Sequence, residues 1–82
     1  MKAGEKMLAK FNSSKLREVR RHKKISQMRL AELCDSSDRY IRDLERGAKE
    51  NPSATLVCLM SQALEVTMDE LMRIEMKEGQ EE

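Results

Sequence analysis

Asp38, Arg39, Arg42 and Asp43 form a cluster of mixed sign in which Asp38 and Arg42, and Arg39 and Asp43, stand four residues apart. On a helix, residues at that spacing are neighbours, so each acid can hold one arginine in a fixed rotamer. A guanidinium held this way can offer its fork to guanine O6 and N7, or to a phosphate, with less entropy lost. An aspartate in the same row can accept from cytosine N4. This is the chemistry of recognition. A solvated face carrying intrahelical salt bridges is the competing reading of the four residues taken by themselves. Catalytic chemistry has little to stand on. His22 is the single histidine, and the sequence has no nucleophile–histidine–acid set, no glycine-rich phosphate loop and no metal-ligand cluster. Cys34 and Cys58 sit in apolar segments and read as reduced core residues of a cytoplasmic protein. An enzyme is therefore not expected, nor a cofactor or a bound metal.

These residues belong to a chain of 82, enough for one small domain with a modest core and little room for a substrate cleft. Apolar residues make up 39% and charged residues 38%, with aromatics at 2%, Gly at 3 and Pro at 1. Scarce turn residues argue against an all-β fold, and the dominant Leu, Met, Ala, Lys, Arg and Glu are helix formers. No apolar run is long enough for a membrane helix, and residues 1–10 lack the apolar centre of a secretion signal. The net charge of +1 conceals an asymmetry. Residues 1–49 carry 14 Lys or Arg against 7 Asp or Glu, whereas residues 50–82 carry 2 against 8. A basic front and an acidic back suit a polyanion on one side, or simply two solvated faces.

Apolar spacing and caps divide the chain into short helices. Residues 1–12 form a lysine-rich lead-in, either one apolar turn on Met7, Leu8 and Phe11 or a frayed end. Ser13 or Ser14 can cap a first helix that turns Leu16, Val19 and Arg20 inward. Ser26 caps a second helix with Gln27, Leu30, Ala31 and Cys34 on one face, and Ser37 caps a third with Tyr40, Ile41 and Leu44 inward. Gly47 follows where a helix stop favours glycine. Ser53 caps a fourth helix running to Leu64. Thr67 with Glu70 makes a capping box for a fifth, with Met68, Leu71, Met72 and Met76 as its apolar stripe. The domain is thus expected over residues 13–76, with an acidic tail at 77–82. Arg20 lies four residues after Leu16, and Glu45 four after Ile41, so both charges are drawn toward the core. Neither can sit there unpaired, which predicts an ion pair tying the first helix to the third.

The segment Ser26–Gly47, two short helices joined by a three-residue turn with the small Ala31 at their crossing, has the logic of a helix-turn-helix. Ser26-Gln27-x-x-Leu30-Ala31-Glu32, Ser37-x-x-Tyr40-Ile41-x-x-Leu44-Glu45-Arg46-Gly47, Asn51-Pro52-Ser53 and Ala63-Leu64-x-Val66-x-x-x-Glu70-Leu71 together resemble the Cro/phage-repressor (XRE-type) family, over roughly Leu16 to Met72. The resemblance implies an all-α, five-helix, lambda-repressor-like domain whose third helix enters the major groove. It implies base-reading positions at Ser37, Asp38, Arg39 and Asp43, and it also suggests the Arg20–Glu45 pair. Phosphate contacts are expected from Gln27, whose helix N-terminus offers free amides, and from Arg17, Lys23, Lys24, Tyr40, Arg42, Arg46, Lys49, Asn51 and the Ser53 cap. The sequence departs from the family at Lys24, Asp35 and Glu65, turn positions where glycine is frequent; a left-handed backbone there costs about 1 kcal/mol for Lys or Glu and less for Asp.

The expected function is sequence-specific transcription regulation, as a repressor bound to double-stranded DNA. A homodimer on a palindrome is implied by the resemblance, with Met68, Met72 and Met76 as interface candidates. No membrane or small-molecule ligand is expected. The alternatives are an antitoxin with a toxin partner, a restriction–modification controller, and a protein-interaction module of the same fold that has lost DNA binding.

Overall fold

The computed structural model describes the backbone of residues 5–78 and the side chains of residues 9–74. The chain runs β1 (Glu5–Phe11), α1 (Ser13–His22), α2 (Gln27–Leu33), α3 (Asp38–Glu45), α4 (Ala54–Leu64), a 3-10 turn (Asp69–Leu71) and β2 (Met72–Glu78). Each α-helix starts on a short polar side chain that accepts from the helix's own backbone. Ser26 takes the amide of Arg29 at 2.9 Å, Ser37 that of Tyr40 at 3.1 Å and Ser53 that of Leu56 at 3.1 Å. At α1 the cap is Asn12, one residue before the serines expected to serve. Its Oδ1 takes the amide of Lys15 at 3.1 Å, and Ser13 and Ser14 join the helix. Such a cap contributes about 0.5–2 kcal/mol.

The core is built from the apolar positions of the helices. Leu16, Leu30, Ile41, Leu44, Met60, Leu64 and Leu71 are completely buried, and Phe11, Val19, Ala31, Cys34 and Val57 nearly so. Each large side chain removed from water contributes about 1.5–3 kcal/mol before ordering costs are subtracted. Ala31, with only a methyl group at the crossing, lets α2 and α3 approach closely. Burial pushes the Cys34 thiol above its ordinary pKa, so it is a protonated packing group and not a nucleophile. No helix among the described residues is long and apolar enough to cross a membrane.

The expected fifth helix is absent, and the fold is not all-α. Thr67 and Glu70 form their capping box, with the Glu70 amide on Thr67 Oγ1 at 3.2 Å and the Thr67 amide on Glu70 Oε2 at 3.3 Å. The helix they start lasts one 3-10 turn, and from Met72 the chain is a strand. Met68, Leu71, Met72 and Met76 satisfy a helical period, but Met72, Ile74 and Met76 alternating with Arg73, Glu75 and Lys77 satisfy a period of two equally well. What decides between them is the partner. β1 pairs antiparallel with β2, with Phe11 opposite Met72, Ala9 opposite Ile74 and Met7 opposite Met76. The Asn12 amide closes the base of this ribbon on the Leu71 carbonyl at 2.8 Å. Much of the basic lead-in is therefore a strand that anchors Phe11 in the core, and the stretch beginning at Met72 is its partner.

Among the described residues, three that bear side chains hold left-handed backbone: Lys24 at φ 60°, Asp35 at φ 55° and Glu65 at φ 61°. These are the three turn positions at which the sequence lacks glycine, and the left-handed backbone is adopted despite the residues they contain. Gly47 takes the same region at φ 82°. Relieving the strain should raise stability. Lys24→Gly is expected to gain about 1 kcal/mol, which is about 4–8 °C in Tm for a domain of this size. Lys24→Ala, which keeps a Cβ at the same φ, should gain nothing; thermal melts of the two variants beside the parent check this.

Candidate nucleic-acid interface

The site begins with a buried ionic joint. Arg20 on α1 and Glu45 on α3 are 8% and 7% exposed, and they meet through two parallel hydrogen bonds. Arg20 Nε donates to Glu45 Oε2 at 2.5 Å and Nη2 to Oε1 at 3.0 Å. Arg20 Nη1 donates to the Ile25 carbonyl at 2.8 Å, which fastens the α1–α2 turn to the same guanidinium. Gln27 Nε2 donates to Glu45 Oε1 at 3.0 Å, so the first residue of α2 joins too. One carboxylate thus fixes α3 against both preceding elements. This contact was not read from the sequence, where Gln27 shared a helix face with Leu30, Ala31 and Cys34 and was assigned to phosphate; its place beside a buried acceptor is consistent with both roles.

With Ile41, Leu44 and Glu45 turned inward, α3 shows its other faces to solvent. Ser37 Oγ is engaged as the cap, and its O–H remains a donor. Arg42 Nη2 lies 3.4 Å from Asp38 Oδ2, one of the two pairs at four-residue spacing. The other does not form. Asp43 accepts instead from Arg46, at 2.9 Å from Nη2 and 3.2 Å from Nε, and its side chain is only 13% exposed. Three residues on, Arg46 lies at the α3 C-cap and competes for the same acid. Arg39 is left exposed, with no ion pair among the described residues. Tyr40 packs against the core and is half-buried.

The remaining candidates fall in different places. Lys24 is exposed in the α1–α2 turn, whereas Lys23 reaches Glu65 at 3.3 Å. Arg17 lines an open depression with Ser14, Glu18, Arg21 and His22, all from α1, which no residue of α2 or α3 joins. Lys49 and Asn51 are exposed in the α3–α4 loop, where the Lys49 and Ala48 amides both bond the Asp43 carbonyl. Ser53 is spent as the α4 cap. Of the interface candidates, Met68 is exposed and Met72 is half-buried against the core, while the side chain of Met76 lies outside the described residues. The ribbon brings Lys10 and Arg73 to the α3–α4 loop, where they share a groove with Asn51. Neither was singled out from the sequence; only the period-two alternation after Leu71 signalled the strand that carries Arg73.

A helix-turn-helix family model matches residues 16–71. Solved structures match with identities of 27–34%. SinR, the master regulator for biofilm formation in Bacillus subtilis, solved in complex with DNA, is 27% identical with a TM-score of 0.69, covering 72% of this chain and 94% of that one. The restriction-modification controller protein C.AhdI from Aeromonas hydrophila is 34% identical with a TM-score of 0.68, covering 72% and 88%. The P22 c2 repressor, solved with a synthetic operator, is 27% identical with a TM-score of 0.68, again covering 72% and 88%. SinR also matches in a complex with the SinI protein. No curated protein sequence matches.

The buried joint makes a stability prediction. Glu45→Gln leaves the Arg20 charge without its counter-ion and should destabilise the domain by about 3 kcal/mol or more. Replacing both partners, as Arg20→Met with Glu45→Leu, removes the orphaned charge and should recover most of the loss. Chemical denaturation of the two variants checks this; equal stability of Glu45→Gln and the parent would show that the joint does not hold α3.

Proposed function

The chain belongs to the XRE-type helix-turn-helix family, and from that premise we propose that it is a transcriptional repressor that reads one face of a DNA major groove with α3. DNA binding and transcription regulation, without enzymatic activity, come with the family. The finer reading rests on this chain's own residues, and the observation that carries it is the state of Arg39. It is an exposed guanidinium in the first turn of α3, two residues past the N-cap, on a helix whose inward side is locked by Glu45. Rigid presentation of an uncommitted fork is what bidentate readout of guanine requires. Ser37 and Asp38 flank it and complete the reading end. Asp43, largely covered and paired to Arg46, contributes by orienting that arginine toward the backbone.

Phosphate contacts on this reading come from the rim: Gln27 at the start of α2, Lys24 in the turn before it, Arg42 and Arg46 on α3, and Lys49 and Asn51 in the following loop. Tyr40, half-buried, can offer its hydroxyl. Lys23, tied to Glu65, and Arg17, set apart on α1, are weaker candidates. Double-stranded DNA as the partner is supported by the P22 c2 repressor and SinR, both solved with DNA; a homodimer on a palindromic operator is the form the family resemblance implies, and a cytoplasmic location goes with a DNA partner. The interface would draw on Met68 and on the ribbon that carries Met72 and Met76.

Two alternatives have particular support. The likeness to C.AhdI supports a restriction–modification controller, which has the same reading head and differs in its target. SinR in complex with SinI supports a protein partner in addition to DNA; a toxin partner is one form of this.

Arg39→Ala is expected to weaken binding to a selected operator by about 1–3 kcal/mol and to relax preference at a single base pair. Binding to operator variants substituted one base pair at a time checks this. A loss of the same size on every sequence would make Arg39 a phosphate contact.

A further inference from the structure

Two cations that belong to none of the helices stand beside the loop that leaves the reading helix. In the register of the ribbon, Lys10 of β1 is directly opposite Arg73 of β2, and both are exposed. The pair lines an open groove of about 330 Å³ with Ser13 at the start of α1 and with Gly47, Glu50 and Asn51 of the α3–α4 loop. Gly47 lies one residue past the α3 C-cap and turns the chain with φ 82°, so the groove opens immediately beyond the C-terminal end of the reading helix.

We propose that Lys10 and Arg73 form a further contact to the DNA sugar–phosphate backbone, so that the ribbon grips the same duplex that α3 reads. The inference rests on the DNA-binding reading and extends it to residues outside the helical bundle. With α3 in the major groove, the loop after it faces the rim of that groove, where backbone phosphates run. An anionic strand along the groove would run beside both exposed cations. It also brings negative charge near Glu50, which opposes binding. The three residues therefore make predictions of opposite sign.

The test is the salt dependence of binding to one duplex. Each phosphate contact contributes about 0.9 to the slope of log affinity against log salt. Lys10→Gln with Arg73→Gln is expected to lower that slope by about two and to weaken specific and non-specific duplexes by the same factor, leaving the preferred sequence unchanged. Lys10→Arg with Arg73→Lys, which keeps both charges, should retain the parent slope. Glu50→Gln, outside the ribbon and not dependent on its folding, should tighten binding several-fold at low salt. A charge-free pair with the parent's slope, or a Glu50→Gln variant with the parent's affinity, would overturn the proposal while DNA binding itself stands. A parent protein that binds no duplex at low salt would overturn the DNA reading on which the proposal rests.

Discussion

The structure depends on one buried carboxylate. Glu45 lies on the inward side of α3, and its two oxygens take Arg20 Nε and Nη2 from α1 and Gln27 Nε2 from α2. An isolated ion pair at this depth would be a poor source of stability, because desolvation offsets most of its attraction. Its value is geometric. Hydrophobic contacts through Ile41 and Leu44 hold α3 to the bundle but resist sliding and rotation only weakly. A forked, two-bond contact has one register and one orientation. It therefore sets which residues of α3 face outward, and a helix that reads base edges must have that angle fixed. The Arg20 bond to the Ile25 carbonyl extends the same constraint to the turn before α2.

The charges on the outer side of α3 divide the labour. Asp38 steadies Arg42, and Asp43 steadies Arg46, which leaves Arg39 as the arginine of α3 without an ion pair among the described residues. Two acids on a helix that approaches a polyanion would be costly if they faced it unpaired. Here each is matched to an arginine on the same helix, so their charge is already offset. Beyond the helices, the inner end of the ribbon, with Lys10 and Arg73, meets the α3–α4 loop and fixes Phe11 in the core. It takes the structural place that a fifth helix was expected to fill, and it closes the hydrophobic core over Leu71.

Much of this was legible in the sequence, for identifiable reasons. The serine caps of α2, α3 and α4, apolar positions three and four apart, and Gly47 after Arg46 are local signals, and the boundaries of those helices follow them closely. Arg20 and Glu45 were traceable because two charges beside apolar stripes must find each other. The fifth helix was misread because Met68, Leu71, Met72 and Met76 fit a helical period, while the alternation from Met72 onward fits a strand, and the choice lay with β1 some 60 residues away. Pairing partners at that distance leave no local mark. Arg39 and Asp43 were expected to pair at four-residue spacing, and the nearer claim of Arg46 was overlooked. At Lys24, Asp35 and Glu65 the left-handed turns persist because the packing on either side dictates the backbone, and residue preference, about 1 kcal/mol per site, is too small to reshape it.

The central claim is that a rigidly held α3 reads a defined DNA sequence. It is tested most directly by enriching random duplexes on the purified protein and following the bound fraction as salt is raised. The account predicts a palindromic consensus whose affinity falls steeply with salt, as ion release from neutralised phosphates requires. Binding without a consensus, or no binding at low salt, would contradict it.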